Sequence, residues 1–222
     1  MFCAVIVAAG SSRRAGFDKL AALLDGVPVL RRSVDAFIEA GAGAVVVVCP
    51  LSRWEETGLS TAEFPVPVLR VDGGAERQDS VAAGLAALPA GTKLVAVHDG
   101  ARPLVTPAGI RACVAAAAET GAAACAHPVV DTLKRADAAG CSLPEVVSRE
   151  HLWGMETPQI FDLELLQRAY RCVAEQGLVV TDEVSAVEAV GVATRLVQVG
   201  ANLKITLPGD LELAELIWKH RA

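Results

Sequence analysis

The sequence has no long apolar stretch, no excess of positive charge and no paired-cysteine motif, and each of these absences excludes a class of protein. The longest segment without a charged residue, 40–52, is far shorter than the roughly 20 residues that cross a bilayer. No basic segment precedes the first apolar run, so we expect a cytoplasmic protein without a membrane partner. The net charge of −6 argues against a nucleic-acid partner, since such a partner needs a broad basic face on the protein. The six cysteines lack the spacing of a metal site, and we predict buried free thiols.

The two best-known phosphate loops are also absent, because neither GxxxxGK[ST] nor GxGxxG spacing occurs in the chain. A different candidate, AAGSSRRAGFDK at 8–19, directly follows the apolar run 3–7. Its small residues let backbone N–H groups approach phosphate oxygens closely, and its arginines and lysine neutralise the charge from outside. The loop therefore predicts a site for a polyphosphate anion. An ordinary strand-to-helix turn with solvated arginines is the alternative that it leaves open.

The chain as a whole predicts one α/β domain, 1–222, because 53% of its residues are hydrophobic and apolar runs alternate with helical patterns. Continuous apolar runs, typical of strands buried on both faces, occur at 3–8, 44–49, 66–71, 94–98 and 122–128. Helical periodicity or capping signals occur at 29–40, 76–88 and 107–120. This alternation predicts a doubly wound, mostly parallel sheet whose ligand site lies at the carboxyl ends of the strands. The segments expected to converge there are 9–19, 72–77, 99–103 and 129–134.

The segment 131–153 breaks this alternation, because it is polar and rich in small residues. Residues 143–149 have the pattern of an exposed strand, so we predict a projecting β-hairpin, which we call the arm. A lone hairpin is marginally stable in water, and this suggests that the arm packs on another subunit. An unstructured surface insertion is the alternative.

Eight short motifs occur in a fixed order: AAG at 8–10, GGAERQDSV at 73–81, VHDGARP at 97–103, DTLK at 131–134, LW at 152–153, TPQ at 157–159, TDEVS at 181–185 and NLKIT at 202–206. In order and spacing they resemble the 2-C-methyl-D-erythritol 4-phosphate cytidylyltransferases of the non-mevalonate isoprenoid pathway. The first loop departs from that pattern. The family usually has a second glycine before the arginines and a proline before the lysine, where this chain has Ser12 and Asp18. A missing proline leaves the second half of the loop less constrained.

The resemblance implies a Rossmann-like nucleotidyltransferase fold and a homodimer formed through the arm. It also implies that a phosphate oxygen of 2-C-methyl-D-erythritol 4-phosphate attacks the α-phosphorus of CTP and expels pyrophosphate, with Mg²⁺ bound mainly through the CTP phosphates. Because the nucleophile is already charged, this chemistry needs alignment and charge stabilisation rather than a general base. The implied catalytic residues are Arg14, Lys19, Arg149 and Lys204. The implied nucleotide contacts are Ala8, Ala9, Gly10, Ser11, Gly74 and Ser80, and the implied substrate contacts are Asp99, Arg102, Thr132, Thr157 and Thr181.

Taken singly, several of these residues also have an ordinary structural interpretation. Ser80 can read the edge of the cytosine, or it can bond a nearby carbonyl as a serine in the first turns of a helix. Arg149 and Lys204 are, as isolated residues, typical of solvated surface cations. We expect His98 to support its neighbour Asp99 rather than to bind a ligand or a metal.

Two other functions stay open at this point. The first is a ribitol 5-phosphate cytidylyltransferase, a family that resembles this chain in the first loop but tends to carry valine at the position of Ala101. The second is a nucleotide-binding regulator without catalysis, for which loss of Arg14, Lys19 or Lys204 would be the expected sign. All three residues are present.

Overall fold

The computed structural model describes residues 1–10 and 16–221. The strands of this part of the chain are β1 (Phe2–Val7), β2 (Leu23–Leu24), β3 (Val27–Pro28), β4 (Val45–Val48), β5 (Val68–Val71), β6 (Leu94–Asp99), β7 (Ala122–Pro128), β8 (Trp153–Asp162) and β9 (Arg195–Gln198). The helices are α1 (Val29–Glu39), α2 (Leu51–Glu56), α3 (Arg77–Ala86), α4 (Pro107–Thr120), α5 (Leu163–Glu175), α6 (Glu183–Glu188) and α7 (Gly209–Arg221).

Within the described residues, seven strands form one sheet in the order β5-β4-β1-β6-β8-β7-β9, and β2 and β3 pair separately. Neighbouring strands of the large sheet run parallel except at β8, which lies antiparallel between β6 and β7. The pairing of β1 with β6 runs from Phe2 opposite Leu94 to Val7 opposite Asp99. The end of β1 therefore lies beside the end of β6, and the segments that follow these strands meet at one edge of the sheet.

Helices cover both faces of the sheet, which is why its central strands consist almost entirely of apolar residues. Ala4 and Ile6 of β1 pack into a core with α1, α4 and α7, while Val5 between them packs into a second core with α3, α5 and α6. Alternate side chains of one continuous apolar run thus enter two different cores. The predicted doubly wound, mostly parallel sheet is confirmed.

The prediction from sequence missed β8, the antiparallel strand at the centre of the site described below. Pro158 lies within it, and proline normally argues against a central strand because it cannot donate to the ladder. The strand accommodates the proline through a register shift: Gln159 pairs with Ala124, but the next pair is Met155 with Ala126. Such an irregularity re-aims the side chains between the two pairs, and these include Thr157.

The exposed strand predicted at 143–149 is wrong. Among residues 131–152, β structure is limited to one isolated bridge between Ala136 and Ser142. The turn at its tip is stabilised by Asp137, whose carboxylate accepts hydrogen bonds from the backbone of Ala139 and Cys141. Pro144 cannot donate to a ladder, and within the described chain no strand lies beside 143–149. The arm is therefore an extended, largely exposed segment with a small turn at its tip.

The cysteine prediction is confirmed for four residues, since Cys3, Cys49, Cys113 and Cys125 are buried free thiols. It is wrong for Cys141, which is exposed in the turn of the arm, and Cys172 is only half-buried. None of the helices among the described residues has the length and apolar character that crossing a membrane requires.

Candidate functional site

Asp99, the last residue of β6, is the centre of a cluster of charges at the carboxyl edge of the sheet. One of its oxygens accepts a hydrogen bond from Lys204 Nζ at 2.6 Å, and the other lies 3.5 Å from Arg77 Nη2. Burial raises the pKa of the Asp99 carboxyl, but the charges of Lys204 and Arg77 outweigh burial and lower this pKa to about 2. Asp99 is therefore a carboxylate at neutral pH.

Two buried polar atoms beside Asp99 have no hydrogen-bond partner among the described residues, namely Arg102 Nε and Asn202 Oδ1. Arg102 Nε lies 3.9 Å from Asp99 Oδ2, too far for a hydrogen bond. The same side chains are otherwise anchored: Arg102 Nη1 donates to Asn202 O at 2.8 Å, and Asn202 Nδ2 donates to Glu156 Oε2 at 2.9 Å. Unsatisfied buried polar groups are rare, and two of them belong to the hydrogen-bonded cluster around Asp99.

The buried side chains of Thr157 and His98 hold the backbone of Asp99 in place. The Asp99 backbone N–H donates to Thr157 Oγ1 at 3.0 Å, and Thr157 Oγ1 lies 3.0 Å from His98 Nδ1. His98 Nε2 faces the Arg102 carbonyl, which can only accept, so the ring hydrogen is on Nε2 and the Thr157 hydroxyl donates to Nδ1. Burial lowers the pKa of His98 to about 3, so the ring is neutral. The prediction that His98 supports Asp99 agrees with these contacts.

Arg77 connects Asp99 to a second, buried carboxylate. Its Nη1 and Nη2 donate to the two oxygens of Glu183 at 2.5 and 2.9 Å. Glu183 is fully buried and also accepts a hydrogen bond from the Tyr170 hydroxyl at 3.0 Å. Two forked hydrogen bonds give the guanidinium a fixed orientation. The first residues of α3 and α6 are thereby locked together beside Asp99.

The segment 202–206, which follows β9, contains one lysine, Lys204, and binds another, Lys19, through a backbone carbonyl. Ile205 N donates to Ala101 O at 2.9 Å, which ties this segment to the turn after β6. Lys19 Nζ donates to Ile205 O at 2.7 Å, and Ile205 directly follows Lys204. Two cations that are far apart in sequence are therefore held on the same short stretch of backbone.

The other half of the site is formed where the turn after β5 approaches the end of β1. A Cβ atom on Gly73 would lie 2.5 Å from Ala9 Cβ and 2.9 Å from Ser80 Oγ, so this close approach requires glycine. Ser80 Oγ donates to Glu76 O at 3.2 Å and accepts from Gly74 N at 3.1 Å. The structural interpretation of Ser80 therefore holds. One lone pair of its oxygen is still unused by these bonds.

The structure brings most of the predicted site residues to this edge. They are Ala8, Ala9, Gly10 and Lys19 from the first loop, Gly74 from the turn before α3, Ser80 from α3, Asp99 at the end of β6, Arg102 after it, Thr157 from β8, and Lys204. Three other predicted residues are exposed: Thr132 and Arg149 on the arm, and Thr181 before α6. Arg149 Nη1 donates to Val130 O, and Thr181 Oγ1 lies 3.4 Å from Ser185 Oγ. Ser11 and Arg14 fall outside the described residues.

Sequence reasoning missed the residues that support this site. Arg77, Glu183 and Asn202 stand inside the motifs that carry the family resemblance, and Arg77 is in addition a charged residue in a segment that follows a strand. Arg53 stands in none of these motifs. The described residues contain no group of three or more histidine, cysteine, aspartate or glutamate side chains placed to hold a metal ion.

Comparisons with known proteins agree with this geometry. The family model for IspD, 2-C-methyl-D-erythritol 4-phosphate cytidylyltransferase, matches residues 2–220. The 2-C-methyl-D-erythritol 4-phosphate cytidylyltransferase of Desulforamulus reducens is 40% identical over 98% of this chain and 96% of its own length. The bifunctional enzyme IspD/IspF of Desulforudis audaxviator is 44% identical over 96% of this chain, which spans only 56% of that enzyme. The crystal structure of the 2-C-methyl-D-erythritol 4-phosphate cytidylyltransferase from Thermus thermophilus is similar with a TM-score of 0.79 and 33% identity, over 99% of this chain and 100% of the other.

Proposed function

We propose that this chain, which belongs to the 2-C-methyl-D-erythritol 4-phosphate cytidylyltransferase family, joins CTP to 2-C-methyl-D-erythritol 4-phosphate in isoprenoid precursor biosynthesis. A phosphate oxygen of the sugar alcohol forms a bond to the α-phosphorus of CTP, and the bond from that phosphorus to the bridging oxygen breaks. Pyrophosphate leaves, and the product is 4-diphosphocytidyl-2-C-methyl-D-erythritol. The observation that carries this proposal is the cluster of Asp99, Lys204 and Arg102, in which a fixed carboxylate lies beside two cations at the carboxyl edge of the sheet.

The reaction proceeds without a general base. The attacking phosphate is already an anion, and the two nearest candidates for a base are occupied: His98 is neutral and buried, and Asp99 is held between two cations. Catalysis then consists of bringing two anions into line and stabilising the extra charge of the transition state.

Lys19 and Lys204 supply positive charge at the reacting phosphates, together with Arg14. Lys19 Nζ bonds the carbonyl of Ile205, the residue after Lys204, and Lys204 Nζ bonds Asp99, so both lysines serve the same site. Asp99 accepts hydrogen bonds from the hydroxyls of the sugar alcohol, and Arg102 supplies positive charge beside Asp99. Arg149 and Thr132 of the arm and Thr181 complete the substrate contacts.

The nucleotide binds where Ala8, Ala9 and Gly10 approach the Gly74 turn. Backbone N–H groups of this glycine-containing region suit phosphate oxygens. Ser80 Oγ has used its donor on Glu76 O, so its free lone pair accepts from the 4-amino group of cytosine. This preference for a donor selects CTP over a nucleotide whose base presents an acceptor there.

The residues of the described chain fit a metal that is held mainly by the nucleotide. Asp99 is engaged by Lys204 and Arg77, and the described carboxylates form no cluster for an ion. Mg²⁺ bound to the triphosphate oxygens would neutralise charge on the leaving group. The protein's own cations then serve the phosphate that attacks and the phosphorus that is attacked. We keep the predictions of a cytoplasmic enzyme that works without a membrane or nucleic-acid partner.

One substrate panel tests the activity. We expect Mg²⁺-dependent release of pyrophosphate from CTP with 2-C-methyl-D-erythritol 4-phosphate, and much slower release from ATP or GTP. Equal turnover of the three nucleotides would contradict the base selectivity. Preference for ribitol 5-phosphate would assign the chain to the rival activity, and binding of CTP without turnover would make it a regulator.

Replacing Lys19 tests its catalytic role. Lys19→Ala removes a preorganised donor and should lower kcat on the order of 10²–10³-fold. The fold should survive, since one half-buried cation contributes little to stability. A near-normal kcat with a raised KM for CTP would mean that Lys19 binds only the ground state.

The arm completes the site of a partner subunit in a homodimer. Val130 is 75% exposed and Val146 is 88% exposed, although both are apolar. Arg149 bonds the carbonyl of Val130 next to the arm, Arg135 pairs with Glu145 inside it, and most residues of the arm are exposed. A second copy of the chain would bury the apolar side chains and bring Thr132 and Arg149 to a site.

Mixed dimers test this shared site. If Arg149 serves the partner's site and Lys19 its own, a dimer of Lys19→Ala and Arg149→Ala subunits has one site with both lesions and one intact site. After confirmed subunit exchange, two nearly inactive proteins should recover about a quarter of wild-type activity, since half the dimers are mixed and half their sites are intact. If exchange occurs and activity stays at the level of the parents, Arg149 acts within its own chain.

A further inference from the structure

Arg53 is a buried arginine whose contacts have no role in the reaction described so far. It lies on α2 and is only 7% exposed. Its Nη1 donates to Ala8 O at 2.5 Å and to Gly10 O at 3.1 Å. Its Nε and Nη2 both donate to Asp18 Oδ2, at 3.1 and 2.9 Å. One guanidinium therefore bonds the backbone before residues 11–15 and a side chain after them.

The partner Asp18 directly precedes Lys19. Asp18 Oδ1 accepts a hydrogen bond from Leu20 N at 3.0 Å, so the two oxygens of one carboxylate hold Arg53 and the backbone after Lys19. The backbone around Lys19 is thus fixed on both sides, and its Nζ reaches Ile205 O. A forked guanidinium fixes direction as well as distance, which a single point charge does not.

Burial by itself requires only that the charge of Arg53 is paired and that its N–H donors find acceptors. It does not require that these acceptors lie on both sides of one loop, as the carbonyls of Ala8 and Gly10 and the carboxylate of Asp18 do. Asp18 also occupies the position at which the chain departs from the proline of the resembling family, so the ion pair restricts the segment that the missing proline leaves free.

We propose that Arg53 is a positioning residue, which through Asp18 and the carbonyls of Ala8 and Gly10 holds the first loop so that Lys19 acts on the nucleotide. The proposal rests on the proposed catalytic role of Lys19. It predicts that the effect of Arg53 on kcat passes through Lys19, whereas a structural role would act whether or not Lys19 is present.

A double-mutant cycle on kcat at saturating CTP separates the two roles. Arg53→Gln removes the fork, and a small displacement of Lys19 should lower kcat on the order of 10- to 100-fold. In a Lys19→Ala background the same change should alter kcat by less than about twofold, the usual scatter of independent effects. An equal loss in both backgrounds would overturn the proposal, as would an unchanged kcat in Arg53→Gln alone.

Two further variants guard against a loss of the fold. Asp18→Asn keeps the acceptor for Leu20 N but removes the charge opposite Arg53, so it should show the same coupling to Lys19 with a smaller loss. Arg32→Gln is the matched control, because Arg32 also donates to two backbone carbonyls, those of Leu24 and Asp25. It lies away from the site, so kcat should stay at the wild-type value although stability falls. A loss of kcat in Arg32→Gln as large as that in Arg53→Gln would make the effect a general one and overturn the proposal.

Hydrogen exchange gives a readout that does not depend on activity. In Arg53→Gln, amides of residues 8–10 and 16–20 should exchange at least about tenfold faster than in wild type, while those of α4 stay protected. No change in these amides would overturn the positioning role even if the enzyme is active. If these amides exchange faster in Arg53→Gln but the wild-type protein shows no CTP-dependent activity, Arg53 still restrains the loop and the proposed function is wrong.

Discussion

Breaking the ion pair between Arg77 and Glu183 should be among the most destabilising single changes near the site. Glu183 is fully buried, and its two oxygens accept two hydrogen bonds from Arg77 and one from Tyr170. Removing one partner of a buried pair typically costs about 3–5 kcal/mol, because the other charge is left uncompensated. The Arg77 side chain is 32% exposed and keeps Asp99 at 3.5 Å, so we expect the lower end for Glu183→Gln, about 3 kcal/mol.

The cost can be measured by urea unfolding of the wild type and three variants. Tyr170→Phe removes one hydrogen bond to a charged group and should cost about 1.5 kcal/mol. Glu145→Gln is the control, because Glu145 pairs with Arg135 at an exposed position of the arm and should change stability by less than about 0.5 kcal/mol. If Glu183→Gln costs no more than Glu145→Gln, the pair is screened by solvent and the reasoning from burial is wrong.

Three other predictions concern the residues of the site. Burial lowers the pKa of His98 to about 3 in the folded protein. In the unfolded chain this histidine has its ordinary pKa of about 6.5, so below that pH the unfolded chain binds a proton that the folded chain does not. The free energy of unfolding should then fall by up to about 1.4 kcal/mol per pH unit between about pH 6.5 and pH 3. Unfolding curves at several pH values should lose this slope in His98→Gln and keep it in His220→Gln, a change at an exposed histidine. The pKa of Asp99 is lowered to about 2, so its ion pair with Lys204 should be fully present above about pH 4 and should be lost as pH falls through about 2. If the KM for the sugar-alcohol substrate rises between about pH 7 and pH 5 because Asp99 becomes protonated, this prediction is wrong. Gly73→Ala should raise the KM for CTP because its Cβ would displace Ala9, whereas Gly200→Ala, with open space around it, should be neutral in the same kinetic assay.

Strands and helices with strong local patterns were predictable from the sequence. The prediction of 94–98 corresponds to β6 (Leu94–Asp99), and the helix predicted at 107–120 has the same bounds as α4. Thr106 accepts a hydrogen bond from Gly109 N and Gly121 adopts a left-handed conformation, as the capping signals indicate. These elements are encoded locally, by apolar runs and by capping residues.

β8 was not predictable in this way, because its central residues contradict the strand pattern. Glu156, Thr157 and Gln159 are polar, and Pro158 lacks a donor. Their polar groups bond mainly residues distant in sequence, as when Gln159 Oε1 accepts hydrogen bonds from the backbone of Glu183 and Val184. The strand exists because tertiary contacts outweigh local preference, and the same contacts make it part of the site.

The site shows the same division between local and long-range information. The sheet rule predicts that Asp99 lies at the carboxyl edge, since that depends only on where a strand ends. The contact of Asp99 with Lys204 joins residues 105 positions apart and follows from the path of the chain after β9, which no periodicity encodes. Only the resemblance to a known family assigned Lys204 to the site.

The contacts of Arg53 could not be predicted from sequence patterns. It stands on a helix of six residues, α2, where an arginine is normally solvated, and its three acceptor atoms belong to the segment that follows another strand, β1. Two of those acceptors are backbone carbonyls, which every residue has and which leave no trace in a sequence. Because β1 and β4 are neighbours in the sheet, the segments after them are adjacent, and this adjacency makes the contacts possible. The restraint on the first loop thus comes from an ion pair between residues 35 positions apart, whereas the missing proline would have restrained it locally.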